Sequence, residues 1–140
     1  MNDVERLLAL EEIKSLKARY CRCMDAREWD SWRECFTDDI AFYFTSKPLV
    51  GVDALADFGK HYLGRVTSVH QVHNPEIDFQ SDTEATGIWA LHDILIWSEP
   101  NSFGITKMIG YGNYHERYRR VNGSWRIAEI KVSRFLVENT

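Results

Sequence analysis

A chain of 140 residues with 44% hydrophobic and 27% charged residues fits one soluble, globular domain with a single core. The formal net charge of -4 comes without any polybasic run, so the electrostatic footprint of a nucleic-acid binder is missing. No stretch approaches the length of a membrane span.

The predicted elements begin with a helix. Leu7, Leu10, Ile13, Leu16, Tyr20 and Met24 recur at spacings of three and four, which marks one face of a helix, and Asp3 suits its N-cap. The opening "MNDVERLLALEEIK" has neither a basic stretch followed by an apolar run nor a cleavage site, so no signal peptide is expected. A second helical piece is expected in "REWDSWRECF", where Trp29, Trp32 and Phe36 keep the spacing and "TDD" ends it. "IAFYF" at 40–44 reads as a short strand, "SKPLVG" as a turn, and "VDALADFGKHYL" at 52–63 as a further helix. The period then changes to two. Strands are expected over about 66–79, 83–97, 105–120 and 124–137, with "SDTE" and the Asn-Gly of "VNGS" as hairpin turns. Helices followed by an antiparallel meander give an α+β plan, with helices on one face of a curved sheet that encloses a pocket. Aromatics at 13% favour a bulky core or a ring-lined pocket.

Cys21, Cys23 and Cys35 are odd in number and lack CxxC spacing, so neither a disulfide framework nor a zinc site is indicated. A reducing cytoplasm is the simplest setting. "RYRR" at 117–120 reads as a solvated hairpin end. No Gly-rich phosphate loop or GxSxG elbow occurs, and Cys35 has no evident claim to be a nucleophile. The chemistry left open is proton transfer.

Ionisable groups on apolar faces are therefore the informative ones. Asp25 follows the first helix, either as a cap for the second or as part of a site. Asp93 shares its face, by alternation, with Trp89, Leu91, Leu95 and Trp97, unless a bulge turns His92 inward instead. A carboxylate there needs a partner. Arg134 alternates with Ile130, Val132 and Leu136, so the two suggest a buried pair, either structural or substrate-binding. His70 and His73 stand three apart in a strand and face opposite sides, which argues against a shared metal. An inward histidine is an ordinary core residue unless a carboxylate reaches it, fixing its tautomer and making it a candidate base.

The stretches "EEIKSLKARYCRCMDAREWDSW", "FTDDI", "HNPEIDFQSDTEATGIWALHD" and "YHERYRRVNGSWRI" resemble the SnoaL-like branch of the nuclear transport factor 2-like superfamily. The resemblance takes in residues 1–140 as one such domain. Within that branch the chain is most similar to the bile acid 7α-dehydratase group, with scytalone dehydratase and hexachlorocyclohexane dehydrochlorinase as more distant relatives. The dehydratase group's functional tyrosine falls on Tyr20, its acid on Asp25, its histidine on His70, its strand aspartate on Asp93 and its late arginine on Arg134. The resemblance implies a cone-shaped fold and a cofactor-free, metal-free dehydratase acting on a small hydrophobic, steroid- or polyketide-like substrate. It implies His70, Asp25 and Tyr20 in catalysis, with Asp93 and Arg134 orienting the substrate. Trp29, Phe44, Trp89 and Trp97 are then the expected aromatic lining. Association through the open sheet as a dimer or trimer is expected on the same ground. Two other readings stay open: an isomerase or cyclase using the same dyad, and a non-catalytic ligand-binding or assembly module.

Overall fold

A computed structural model describes all of residues 1–140. Helix α1, Asp3–Asp25, starts one residue earlier than Asp3 as cap would have it. Asn2 is the N-cap: its Oδ1 accepts from the Glu5 amide at 2.9 Å while the Glu5 carboxylate accepts from the Asn2 amide at 2.8 Å. Two otherwise orphaned donors are thereby satisfied. The buried face runs Ala9, Ile13, Leu16, Lys17, Tyr20, Cys21 and Met24, at the spacing that one side of a helix requires. Leu7, expected on that stripe, is exposed, although the neighbouring Arg6 already lies over the Phe79 ring of the sheet, so Leu7 sits off the buried face.

Helix α2, Trp29–Arg33, is half the length that the Trp29, Trp32, Phe36 spacing predicts. Phe36 and the "TDD" after it belong instead to strand β1, Phe36–Tyr43. The reason is tertiary. β1 pairs in parallel with the last strand, Phe36 opposite Ile127 and Phe42 opposite Ile130, and that pairing overrides local helical spacing. The expected turn at 46–51 contains a short strand β2, Leu49–Val50, antiparallel to β1. Helix α3, Val52–Leu63, follows as expected.

Four long strands complete the chain: β3 Val66–Phe79, β4 Glu84–Trp97, β5 Lys107–Val121 and β6 Ser124–Asn139. They form one open six-stranded sheet in the order β2-β1-β6-β5-β4-β3, antiparallel except at β1–β6. Asn122 and Gly123 both have positive φ, 51° and 82°, the conformation a two-residue hairpin between twisted strands demands. α1 packs on β3 and β6, and α3 closes over β1, β2 and β3. Ile13, Ile40, Ile127 and Ile130 sit at the centre of the resulting core, fully buried. No helix is long and apolar enough to cross a membrane.

Ile13 and Leu7 were expected on one stripe but differ completely in burial, which gives a direct test. Ile13→Ala is expected to lower unfolding free energy by about 2–5 kcal/mol in urea denaturation. Leu7→Ala is expected to change it by less than about 0.5 kcal/mol. Similar losses at both positions would contradict the placement of α1.

Candidate functional site

The first half of β3 turns Val66, Ser68, His70 and Val72 to the inner face and Val69, Gln71 and His73 to the outer one. His70 and His73 therefore do not converge. No group of three or more His, Cys, Asp or Glu side chains is arranged to hold a metal ion. The phase reverses just beyond, at Asn74, whose φ is 46° and where the register against β4 slips by one residue. That bulge puts Ile77 and Phe79 inward while leaving His70 where it is.

Asp25 is the last residue of α1, and its carboxylate is taken up by β3. Oδ2 accepts from the His70 amide at 2.7 Å, and Oδ1 accepts from the Ser68 hydroxyl at 2.8 Å. Oδ1 also lies 2.7 Å from His70 Nδ1. A carboxylate can only accept here, so Nδ1 carries the hydrogen, and in the neutral imidazole the lone pair is then on Nε2. The capping alternative for Asp25 fails: α2 takes Glu28 as N-cap without a side-chain bond.

Asp93 is the cross-strand partner of His70. Alternation placed it correctly on the inner face, where it is buried, and His92 lies outside, stacked on Tyr111 at 4.6 Å. Its Oδ2 is 3.9 Å from His70 Nε2. Arg134 grips the same carboxylate with both ends of its fork, at 2.5 and 2.8 Å, and that hydrogen bonding raises the guanidinium pKa against the opposing effect of burial. Arg134 is not a fully buried partner, since its side chain remains 32% exposed. Nor does Leu136 share its face. The register against β5 skips Phe135, so Leu136 turns outward.

A cavity of about 360 Å³ opens onto these groups. Tyr20, His70, Asp93, Tyr114 and Arg134 supply its polar lining; Phe42, Phe44, Phe58, Leu55 and Val132 supply apolar wall. Phe44 stacks on Phe42 with ring centres 4.2 Å apart, and Phe58 follows at 4.7 Å. Burial holds the Tyr20 phenol well above its ordinary pKa, with the neighbouring Tyr114 adding to the effect. Tyr20 therefore stays protonated and can donate.

Three expected lining residues stand elsewhere. Trp89 is buried in the core, where its Nε1 donates to the Tyr118 hydroxyl at 2.8 Å. Trp97 lies at the far end of β4, opposite Val66. Both share the face of Asp93, but at about 3.3 Å per residue each is about 13 Å away along the strand. Trp29 packs edge-on against Trp32, ring centres 5.5 Å apart, outside the cavity.

Besides apolar wall such as Phe42 and Phe58, sequence reasoning missed four residues. Ser68 is one; its only signal was sharing His70's parity. Tyr114 and Glu116 are two more, on the inner parity of β5, and Glu116 forms a fully buried ion pair with Lys17 of α1. The fourth is Gly110, cross-strand partner of Asp93. A methyl group there would overlap Arg134 Nη1 and Asp93 Oδ1, so the fork crosses the sheet through the space a side chain would fill. Gly110→Ala is expected to destabilise the fold by about 1–3 kcal/mol through this overlap. An unchanged urea midpoint would contradict that packing.

Residues 5–131 match the SnoaL-like domain family. Among solved structures the chain is similar to a candidate scytalone dehydratase from Novosphingobium aromaticivorans, with 21% identity, TM-score 0.87, and coverage of 100% of this chain and 92% of that one. It is also similar to a type 2 hexachlorocyclohexane dehydrochlorinase, with 16% identity, TM-score 0.87 and coverage of 99% and 93%. A protein of unknown function from Mycobacterium tuberculosis matches at 27% identity and TM-score 0.78, covering 91% of this chain and 77% of that one. With nearly its whole length matched, the chain belongs to the SnoaL-like domain family.

Proposed function

We propose that the chain is a cofactor-independent dehydratase, a carbon–oxygen lyase that eliminates water from a hydrophobic substrate whose hydroxyl is activated by a nearby carbonyl. The observation that carries this reading is the His70–Asp25 pair, 2.7 Å apart, with the free Nε2 on the side of an aromatic-walled cavity. Names given to two fold neighbours, dehydratase and dehydrochlorinase, both describe eliminations.

In this reading Nε2 of His70 takes the proton from the carbon beside the carbonyl. The electron pair left on carbon is spread onto the carbonyl oxygen. Asp25 stabilises the imidazolium that forms, an effect strengthened where apolar walls exclude water. As the carbonyl re-forms, the carbon–hydroxyl bond breaks, and the proton on His70 or that of Tyr20 leaves with the hydroxyl as water. If Tyr20 supplies it, His70 returns a proton to the phenolate, so both residues end as they began. Arg134, still partly exposed at the cavity, orients the substrate with Asp93. The Phe42–Phe44–Phe58 wall suits a flat ring system, steroid- or polyketide-like. Exposed Val69, Ile88, Ile96 and Tyr111 on the outer sheet face would be covered in a homo-oligomer built through that face. A cytoplasmic setting suits three free, buried cysteines.

A panel of β-hydroxy ketones, including steroid and polyketide-like compounds, tests the assignment. His70→Ala and Asp25→Asn are each expected to lower kcat/KM by about 10²–10⁴-fold. Turnover equal to wild type in both variants would remove His70 as base, and turnover of no compound by the wild type would remove the dehydratase reading.

A further inference from the structure

His70 stands between two carboxylates, and only one of them belongs to the dyad. Asp25 Oδ1 lies 2.7 Å from Nδ1, the nitrogen that carries the hydrogen. Asp93 Oδ2 lies 3.9 Å from Nε2, the nitrogen that must stay bare if the ring is to take a proton. That separation is too long for a hydrogen bond but well within the reach of Coulomb attraction. Two carboxylates flanking one imidazole favour its protonated form, and an imidazolium is no base. A third charge opposes this. Arg134 Nη2 donates to the same Asp93 Oδ2 at 2.8 Å, while Nη1 donates to Oδ1 at 2.5 Å. The carboxylate oxygen nearest the free nitrogen of His70 is therefore already occupied by a guanidinium hydrogen.

The remaining groups around the ring leave this balance to Arg134. Two carboxylates and one guanidinium leave one negative charge uncompensated beside a neutral His70, and a protonated ring cancels it. Without Arg134, two negative charges would face the ring. Tyr20 from α1, Tyr62 from α3 and Tyr114 from β5 are the other titratable groups in the cavity lining. Burial holds Tyr20 and Tyr114 well above the ordinary tyrosine range, so neither brings a charge. Lys17 and Glu116, behind the Tyr20 and Tyr114 rings, cancel each other. Arg134 is the one guanidinium or ammonium in the lining itself.

We propose that Arg134 is a positioning residue for the base: by neutralising Asp93 it keeps His70 unprotonated and able to accept a hydrogen. Its weight in turnover rests on the dehydratase reading, but its control of the His70 proton does not. Gly110 shares in this control, since the fork reaches Asp93 through the space that its missing side chain leaves.

A proton NMR titration of the free protein reads the effect without any substrate. Among the five histidines, the His70 ring signal is the one absent from His70→Ala. Arg134→Gln removes the compensating charge, and the midpoint of the His70 titration is expected to rise by about one pH unit or more. Asp93→Asn leaves the guanidinium facing the ring, and the midpoint is expected to fall by about one unit. Arg134→Lys keeps the charge without the fork and is expected to stay within about half a unit of wild type. A merely structural pair would not give shifts of opposite sign, because loosening the site brings the ring closer to water in both exchanges. Should Arg134→Gln fail to fold with Asp93 buried and unpaired, the other two variants decide. Asp93→Asn strands only a partly exposed guanidinium, which water can take up. An Asp93→Asn midpoint that holds or rises overturns the proposal, whether or not Arg134→Gln folds. So does an Arg134→Gln midpoint that holds or falls, or an Arg134→Lys midpoint that rises by about a unit or more. None of these readings needs turnover, so this role of Arg134 and the dehydratase assignment fail separately.

Discussion

The carboxylate of Asp25 is held by three hydrogens from one strand, and the site is built outward from that attachment. It ends a helix of 23 residues whose far end is fixed by a capping box and whose inner face is pressed on the sheet. A helix of that length behaves as a rod, so its last residue is delivered to a defined place. There, the His70 amide, the Ser68 hydroxyl and the imidazole share the two oxygens. The bonds set the tautomer and direction of the ring together. Removing the carboxylate would leave an imidazole hydrogen and an amide without partners in a half-buried setting, and such losses are felt well beyond the bond itself.

Around this attachment the cavity separates its polar groups into two neutralised systems. On the side of β4 and β6, Asp93 is balanced by the Arg134 fork. Below the floor, Glu116 is balanced by Lys17. His70 stands between apolar wall and paired charge, with its side chain only 8% exposed. A ligand in such a place meets few mobile dipoles, so each fixed charge and hydrogen-bond donor acts more strongly than it would in water. The same architecture explains why glycines face the interior of long strands: at Gly110 the missing side chain is the passage through which Arg134 reaches Asp93.

Much of this was legible in the order of residues. The switch from helical to alternating spacing near 64 located all four long strands to within about two residues, most plainly β4 and β5, where burial alternates along most of the strand. Alternation also put Asp93 inside and separated His70 from His73. What it could not carry was information held by distant partners. β1 begins at Phe36 because β6, some ninety residues later, pairs with it. Leu136 turns outward because a bulge interrupts the register. Trp89 and Trp97 were assigned to the right face but the wrong depth, since a period of two says nothing about position along a strand. Lys17 and Glu116 look like ordinary surface charges until helix and sheet are brought together.

The central claim is that His70 accepts a hydrogen from carbon because Asp25 holds it ready. Deuterium uptake from heavy water into the carbon beside the carbonyl of a flat cyclic ketone measures that step without requiring a leaving group. Wild type is expected to speed the exchange, and His70→Ala to lose the acceleration while keeping its fold. Exchange as rapid with His70→Ala as with wild type would contradict the account.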